Sequence, residues 1–176
     1  MLKYFFEIGT DKTLFDGLAV SKEKALCDEH MGKYPVVFLS FSSVDGLSFE
    51  TAYNELCRII RKEASRLRFL SENESIPDVH KVSFDRILNG NHIETDVRGS
   101  LKMLCNLLYA YYGQKVILII DEYDVPLIKS SQHGYYEQMS NFIHSMYGTA
   151  LKTNEYLKFA VLTGSQRVPD KSIFNG

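Results

Sequence analysis

The most chemically suggestive stretch of the chain is Val116-Ile117-Leu118-Ile119-Ile120-Asp121-Glu122-Tyr123-Asp124. Its apolar run lacks polar alternation and reads as a strand buried on both faces. The first polar side chains emerge at the carboxyl end, where ligands gather in parallel α/β sheets. The Asp121 carboxylate is suited to a hard divalent cation such as Mg²⁺, which prefers oxygen ligands. Glu122 is suited to orient or deprotonate a water that attacks a phosphoryl group. Neighbouring strand residues point to opposite sides, so the two acids fit separate roles better than joint metal ligation. Asp124 either supports the turn or is solvated.

This is a Walker B arrangement with a second acid, a short pattern that chance also produces in α/β proteins. A second strand end adds to it. Leu162-Thr163-Gly164 sets a hydroxyl at the carboxyl end of an apolar run, and Arg167 follows. A Thr there can position a phosphate or a water, and an Arg can neutralise a transferred phosphoryl group. Each alone is more often a turn residue or a surface cation than a site residue. The usual phosphate cradle, G-x-x-x-x-G-K-[ST], does not occur in these 176 residues. The only Gly-Lys pair is Gly32-Lys33; Tyr34 follows it, and Cys27 stands where the first glycine belongs.

The elements that must position these residues follow from periodicity. Residues 1–8 read as a helix with Leu2, Phe5 and Phe6 on one face, already under way at Met1. Residues 12–20 read as a loop, and residues 21–30 as a short helix capped by Ser21. Pro35 opens a first strand through Val36, Val37, Phe38, Leu39 and Phe41. A long helix over residues 48–70 carries Tyr53, Leu56, Ile60 and Leu67 as its apolar stripe. Arg58, Arg61, Lys62, Arg66 and Arg68 lie opposite, as a solvated face. Glu63 falls on the apolar side, which the pattern leaves unexplained.

Residues 71–79 read as a loop and residues 83–88 as a short helix. Thr95 caps a helix with Val97, Leu101, Leu104, Leu108 and Tyr111 on one face, ended by Gly113. The second strand covers residues 115–120, a helix residues 134–153, and a third strand residues 157–163. Alternating helices and apolar strands predict an α/β fold with a parallel sheet and helices on both faces.

Composition sets outer limits. Hydrophobic residues make up 45% and charged residues 24%, so general disorder is excluded. The longest strongly apolar run is far short of the roughly 20 residues of a membrane helix. Glu7 interrupts any signal-peptide core. A net charge of −2 gives no electrostatic footprint for nucleic acid. Cys27, Cys57 and Cys105 show no C-x-x-C spacing and read as buried, reduced thiols, which points to the cytoplasm. No G-x-S-x-G marks a serine hydrolase. Pro77-Asp78 and Pro169-Asp170 precede no strand with E-x-K, so a nuclease site is disfavoured.

Taken together, these motifs resemble the AAA-ATPase-like family of prokaryotic P-loop proteins, which often carry a PD-(D/E)xK nuclease-like domain downstream. Met1-Leu-Lys-Tyr-Phe-Phe-Glu resembles the helix after the family's Gly-Lys-Ser. Leu14-Phe15-Asp16-Gly17-Leu18 and Tyr34-Pro35-Val36-Val37 resemble its next block and second strand. Tyr111-Tyr112-Gly113-Gln114-Lys115 through Asp121-Glu122-Tyr123-Asp124-Val125-Pro126 is similar to its Walker B region. Leu162-Thr163-Gly164, Arg167 and Ser172-Ile173-Phe174 resemble its sensor strand and following loop, although Ser165-Gln166 and Pro169 depart from it.

The resemblance implies a partial P-loop NTPase, AAA-like and three-layered, truncated at both ends over residues 1–176, with the central P-loop strand missing. It implies Asp121 as the Mg²⁺ ligand and Glu122 as the catalytic base, with Thr163 and Arg167 at the ATP phosphates. The full-length relative is expected to bind Mg·ATP and hydrolyse it, and the chain alone to bind nucleotide weakly or not at all. The missing strand would lie beside residues 157–163, leaving an edge open to self-association or a protein partner. The alternative is a non-catalytic fragment or degenerate paralogue acting as an interaction module.

Overall fold

A computed structural model gives the architecture of residues 1–165. It is α/β, with three parallel strands and seven α-helices among the described residues. The strands are β1 (Val36–Ser40), β2 (Val116–Asp121) and β3 (Leu157–Leu162), ordered β1-β2-β3. The register aligns Ser40 with Asp121 and Ile120 with Leu162. The carboxyl ends of all three strands therefore lie together. The expected parallel α/β sheet is borne out.

Seven helices surround the sheet: α1 (Leu2–Phe6), α2 (Lys24–His30), α3 (Phe49–Arg66), α4 (Asp78–Asn89), α5 (Glu94–Tyr112), α6 (Val125–His133) and α7 (Tyr136–Leu151). The two sheet faces are covered unequally. On one, Val37, Leu39, Leu118 and Ile120 join a large core with side chains from α3, α4, α5, α6 and α7. On the other, Val36, Ile117 and Ile119 form a small core with Tyr34, against which Phe6 of α1 packs. Because β2 is buried on both faces, all five of its apolar residues are buried, as the missing alternation requires.

Several local expectations change. Ser48 caps α3 as a helix-capping serine should, accepting from the Thr51 amide. Ser21 caps nothing helical; residues Ala19–Lys22 form a 3-10 turn and α2 starts after it. Helix α4 begins directly after Pro77, longer than the periodicity predicts, because a proline before the first turn forfeits no helical bond. Helix α5 starts at Glu94 rather than after a Thr95 cap. The Asp96 carboxylate accepts from the Ile93 amide and so closes its first turn. Helix α6 was absent from the periodic reading; Pro126 sits in its first turn and Gly134 closes it in the left-handed region at φ 80°. Cys57 and Cys105 are buried free thiols, but Cys27 is only half-buried. No helix among the described residues is long and apolar enough to cross a membrane.

The basic face of α3 also departs from a solvated stripe. Arg66 forms ion pairs with Glu63 and Glu7, and Arg61 donates to the Ile87 carbonyl at 3.1 Å. Arg58 pairs with Glu55 and remains exposed.

Candidate functional site

The site is built where β2 and β3 end. Asp121 is the last residue of β2, and its carboxylate accepts a hydrogen bond from the Thr163 hydroxyl. Backbone bonds fix both. The Thr163 amide donates to the Ile120 carbonyl at 3.0 Å, and the Tyr123 amide donates to the Thr163 carbonyl at 2.9 Å. On the other side, the Phe41 amide donates to the Asp121 carbonyl at 2.9 Å. The chain after β1 is thus bonded to the same strand end.

Glu122 stands apart from the strand pattern. Its φ is 54°, and it is the one non-glycine with positive φ among the described residues. That conformation costs an ordinary side chain about 1 kcal/mol or more, and such residues cluster at functional sites. The strand has already ended, so strand alternation does not set the direction of Glu122, contrary to expectation. The turn instead separates it from Asp121.

Asp124 is the turn's internal support rather than a solvated acid. It is fully buried, and the Ser165 hydroxyl donates to its Oδ2 at 3.3 Å. Gly164 lies against it. A Cβ there would come within 2.7 Å of both Asp124 Oδ1 and Tyr123 Cε1. The glycine is needed so that the end of β3 can close on the Tyr123-Asp124 turn. Below, the Tyr147 hydroxyl donates to the Tyr123 carbonyl at 3.2 Å. Burial, then the neighbouring Tyr123 and Asp124, pushes the Tyr147 phenol well up, so it stays a donor. Tyr147 also stacks with Phe41, tying α7 to the segment after β1.

That segment is anchored to α6 and to the start of α7 as well. Tyr135 donates to the Gly46 carbonyl at 2.8 Å, and Lys129 pairs with Asp45 at 3.1 Å. Burial, then the Asp45 charge, raises the Tyr135 phenol, which keeps it a donor. The Lys129 bond, followed by the Gly46 amide, holds the Asp45 carboxyl below its ordinary value.

Of the residues that sequence singles out, Asp121 and Thr163 are brought into contact, and Glu122 follows on the adjoining turn. Arg167 and Ser172-Ile173-Phe174 lie outside the described residues. Gly164, Tyr147 and Ser165 were not anticipated as supports. Gly164 was quoted only as the end of a strand, although a glycine after a strand-end Thr is itself a close-approach signal.

A family model described as AAA-ATPase-like, predicted AAA-ATPase, matches residues 1–174. The chain belongs to that family. Membership places the chain among predicted AAA-ATPases, which supports nucleotide binding and ATP hydrolysis as its chemistry. No curated protein and no solved structure matches it.

Proposed function

We propose that this chain supplies the metal and water half of a Mg·ATP-hydrolysing site. Asp121 holds Mg²⁺, Glu122 takes a proton from the attacking water, and Thr163 fixes the Asp121 carboxylate and faces the phosphates. Arg167, from outside the described residues, belongs to the proposal as the cation that offsets phosphoryl charge. Bound Mg·ATP supplies the electrophilic phosphorus.

The observation that carries this reading is the joining of Asp121 to Thr163 across two parallel strand ends, with a left-handed Glu122 next in sequence. The donors suit Mg²⁺. They are carboxylate and hydroxyl oxygens, and a magnesium site needs one or two carboxylates completed by phosphates and water. Among the described residues no group of three or more His, Cys, Asp or Glu forms a metal cage. The site therefore fits a cation brought with its nucleotide better than a resident structural ion.

The proposal puts the phosphate cradle on a further strand pairing with the outer edge of β3. Until that strand is present, the edge favours self-association or a protein partner.

Calorimetric titration tests this. The 176-residue chain should give no saturable Mg·ATP binding below about 1 mM. A version with an in-frame strand and G-x-x-x-x-G-K-[ST] before Met1 should bind and turn over. In that version Glu122→Gln should lower kcat at least about 100-fold. Tight binding by the 176 residues would overturn the placement of the cradle. Undiminished turnover in E122Q would overturn the role of Glu122, whereas an extended version that neither binds nor turns over Mg·ATP would leave the interaction-module reading standing.

A further inference from the structure

Backbone direction alternates along a strand, so every second residue of an edge strand presents its amide and carbonyl to whatever lies outside. On either side of β1, the Pro35 carbonyl and the Phe41 amide bond to β2. Val36, Phe38 and Ser40 therefore face away from the sheet. An unpaired row of this kind is a template for another strand.

Just before β1 the Tyr34 amide and carbonyl bond the Phe6 carbonyl and the Ile8 amide, and within β1 side chains take two of the outward groups. Glu63 Oε1 accepts from the Phe38 amide at 2.8 Å, and Arg66 Nη2 donates to the Val36 carbonyl at 2.8 Å. The two side chains bond each other twice, at 2.9 Å from Arg66 Nε and 2.7 Å from Arg66 Nη2. Arg66 Nη1 reaches Glu7 Oε1 at 2.6 Å. Glu63 is only 6% exposed. A carboxylate buried on the apolar side of a helix is costly unless its oxygens are fully used. Its oxygens here are used by one strand amide and one guanidinium.

We propose that Glu63 and Arg66 form an edge lock: they occupy the outward Phe38 amide and Val36 carbonyl of β1 in place of a strand and restrict strand addition to the β3 side. The lock mimics a neighbouring strand, offering an acceptor to Phe38 and a donor to Val36. Glu7, which follows α1, holds the guanidinium through Arg66 Nη1. The partner excluded is a second copy of this chain pairing through β1.

Amide hydrogen exchange by NMR on the 176-residue chain tests the lock directly. Exchange at Phe38 should be at least about 100-fold slower than in an unstructured peptide. The rate should not change with protein concentration. In Glu63→Leu the amide should exchange at least about 10-fold faster in dilute solution. Raising the concentration should restore protection there, together with a sedimenting species larger than that of the unmodified chain at the same concentration. In Glu63→Gln, whose amide oxygen still accepts, Phe38 should stay protected. Near-peptide exchange at Phe38 in the unmodified chain overturns the proposal whether or not the variants fold. So does a folded E63L that keeps protection at Phe38 in dilute solution, or one that associates no further than the unmodified chain at every concentration.

Discussion

The two sides of the sheet solve the same problem in different ways. On the β1 side, two charged side chains of α3 reach over and occupy the outward Phe38 amide and Val36 carbonyl. On the β3 side, no strand lies beyond among the described residues, and β3 keeps only intermediate or exposed side chains. Phe159, at 37% exposure, contrasts with Val37 in β1, which has none. A closed edge beside an open one gives the sheet a direction of growth. The open side is also the side on which Thr163 meets Asp121. The contrast thus bears on function: the side left free for a strand is the side where the proposed site needs one.

The largest effect should come from dismantling the closed side. Glu63→Leu removes the acceptor of the Phe38 amide and a partner of Arg66 and should cost about 2–3 kcal/mol in urea unfolding. A loss well under this would mean the edge is held by packing alone.

Next comes the floor of the site on the open side. Gly164→Ala drives a Cβ into the buried Tyr123-Asp124 turn and should cost about 2 kcal/mol. No loss would show that β3 does not close on that turn.

A smaller effect serves as a control remote from both edges. Asp96 accepts from Ser83, the Ile93 amide and Arg86. Burial alone would raise its carboxyl, but the Ser83, Ile93 and Arg86 bonds outweigh it and hold the pKa below the ordinary value. A carboxyl lowered by folding stabilises above its unfolded pKa of about 3.9 and loses that contribution as pH falls through the lower folded value. Asp96→Asn should cost about 1–2 kcal/mol at neutral pH and flatten the acid limb of stability below about pH 4. Exchange at Phe38 should be unaffected.

The smallest effect should be a gain. Glu122→Gly removes a side chain from a left-handed position and should add about 0.5–1 kcal/mol to stability. In a nucleotide-competent version the same change should abolish turnover. Together these outcomes would mark the turn as strained for its chemistry.

The sequence disclosed the parts whose signals are local. Strand β2 was legible because five apolar residues without alternation can only be a strand buried on both faces, or a short core segment. Helices α3 and α5 were legible from long stripes at helical spacing. Helix α6 has nine residues, too few to display a periodic stripe, and its proline and closing glycine were the available clues. The acids Asp121 and Glu122 stood out by position, whereas the left-handed turn that separates them has no signature in a glutamate. Glu63 looked misplaced because its role depends on a strand edge more than twenty residues away in sequence, not on its own helix. Arg66 looked like one more solvated cation for the same reason.

The central claim is that the strand end carrying Asp121 receives a divalent cation. Mn²⁺, a paramagnetic stand-in for Mg²⁺, tests it in the chain as it exists, since weak binding still broadens nearby amide signals. The account predicts selective broadening at Asp121, Glu122 and Thr163, competed by excess Mg²⁺ and lost in Asp121→Asn. Broadening that spares these amides, or persists in D121N, would contradict it.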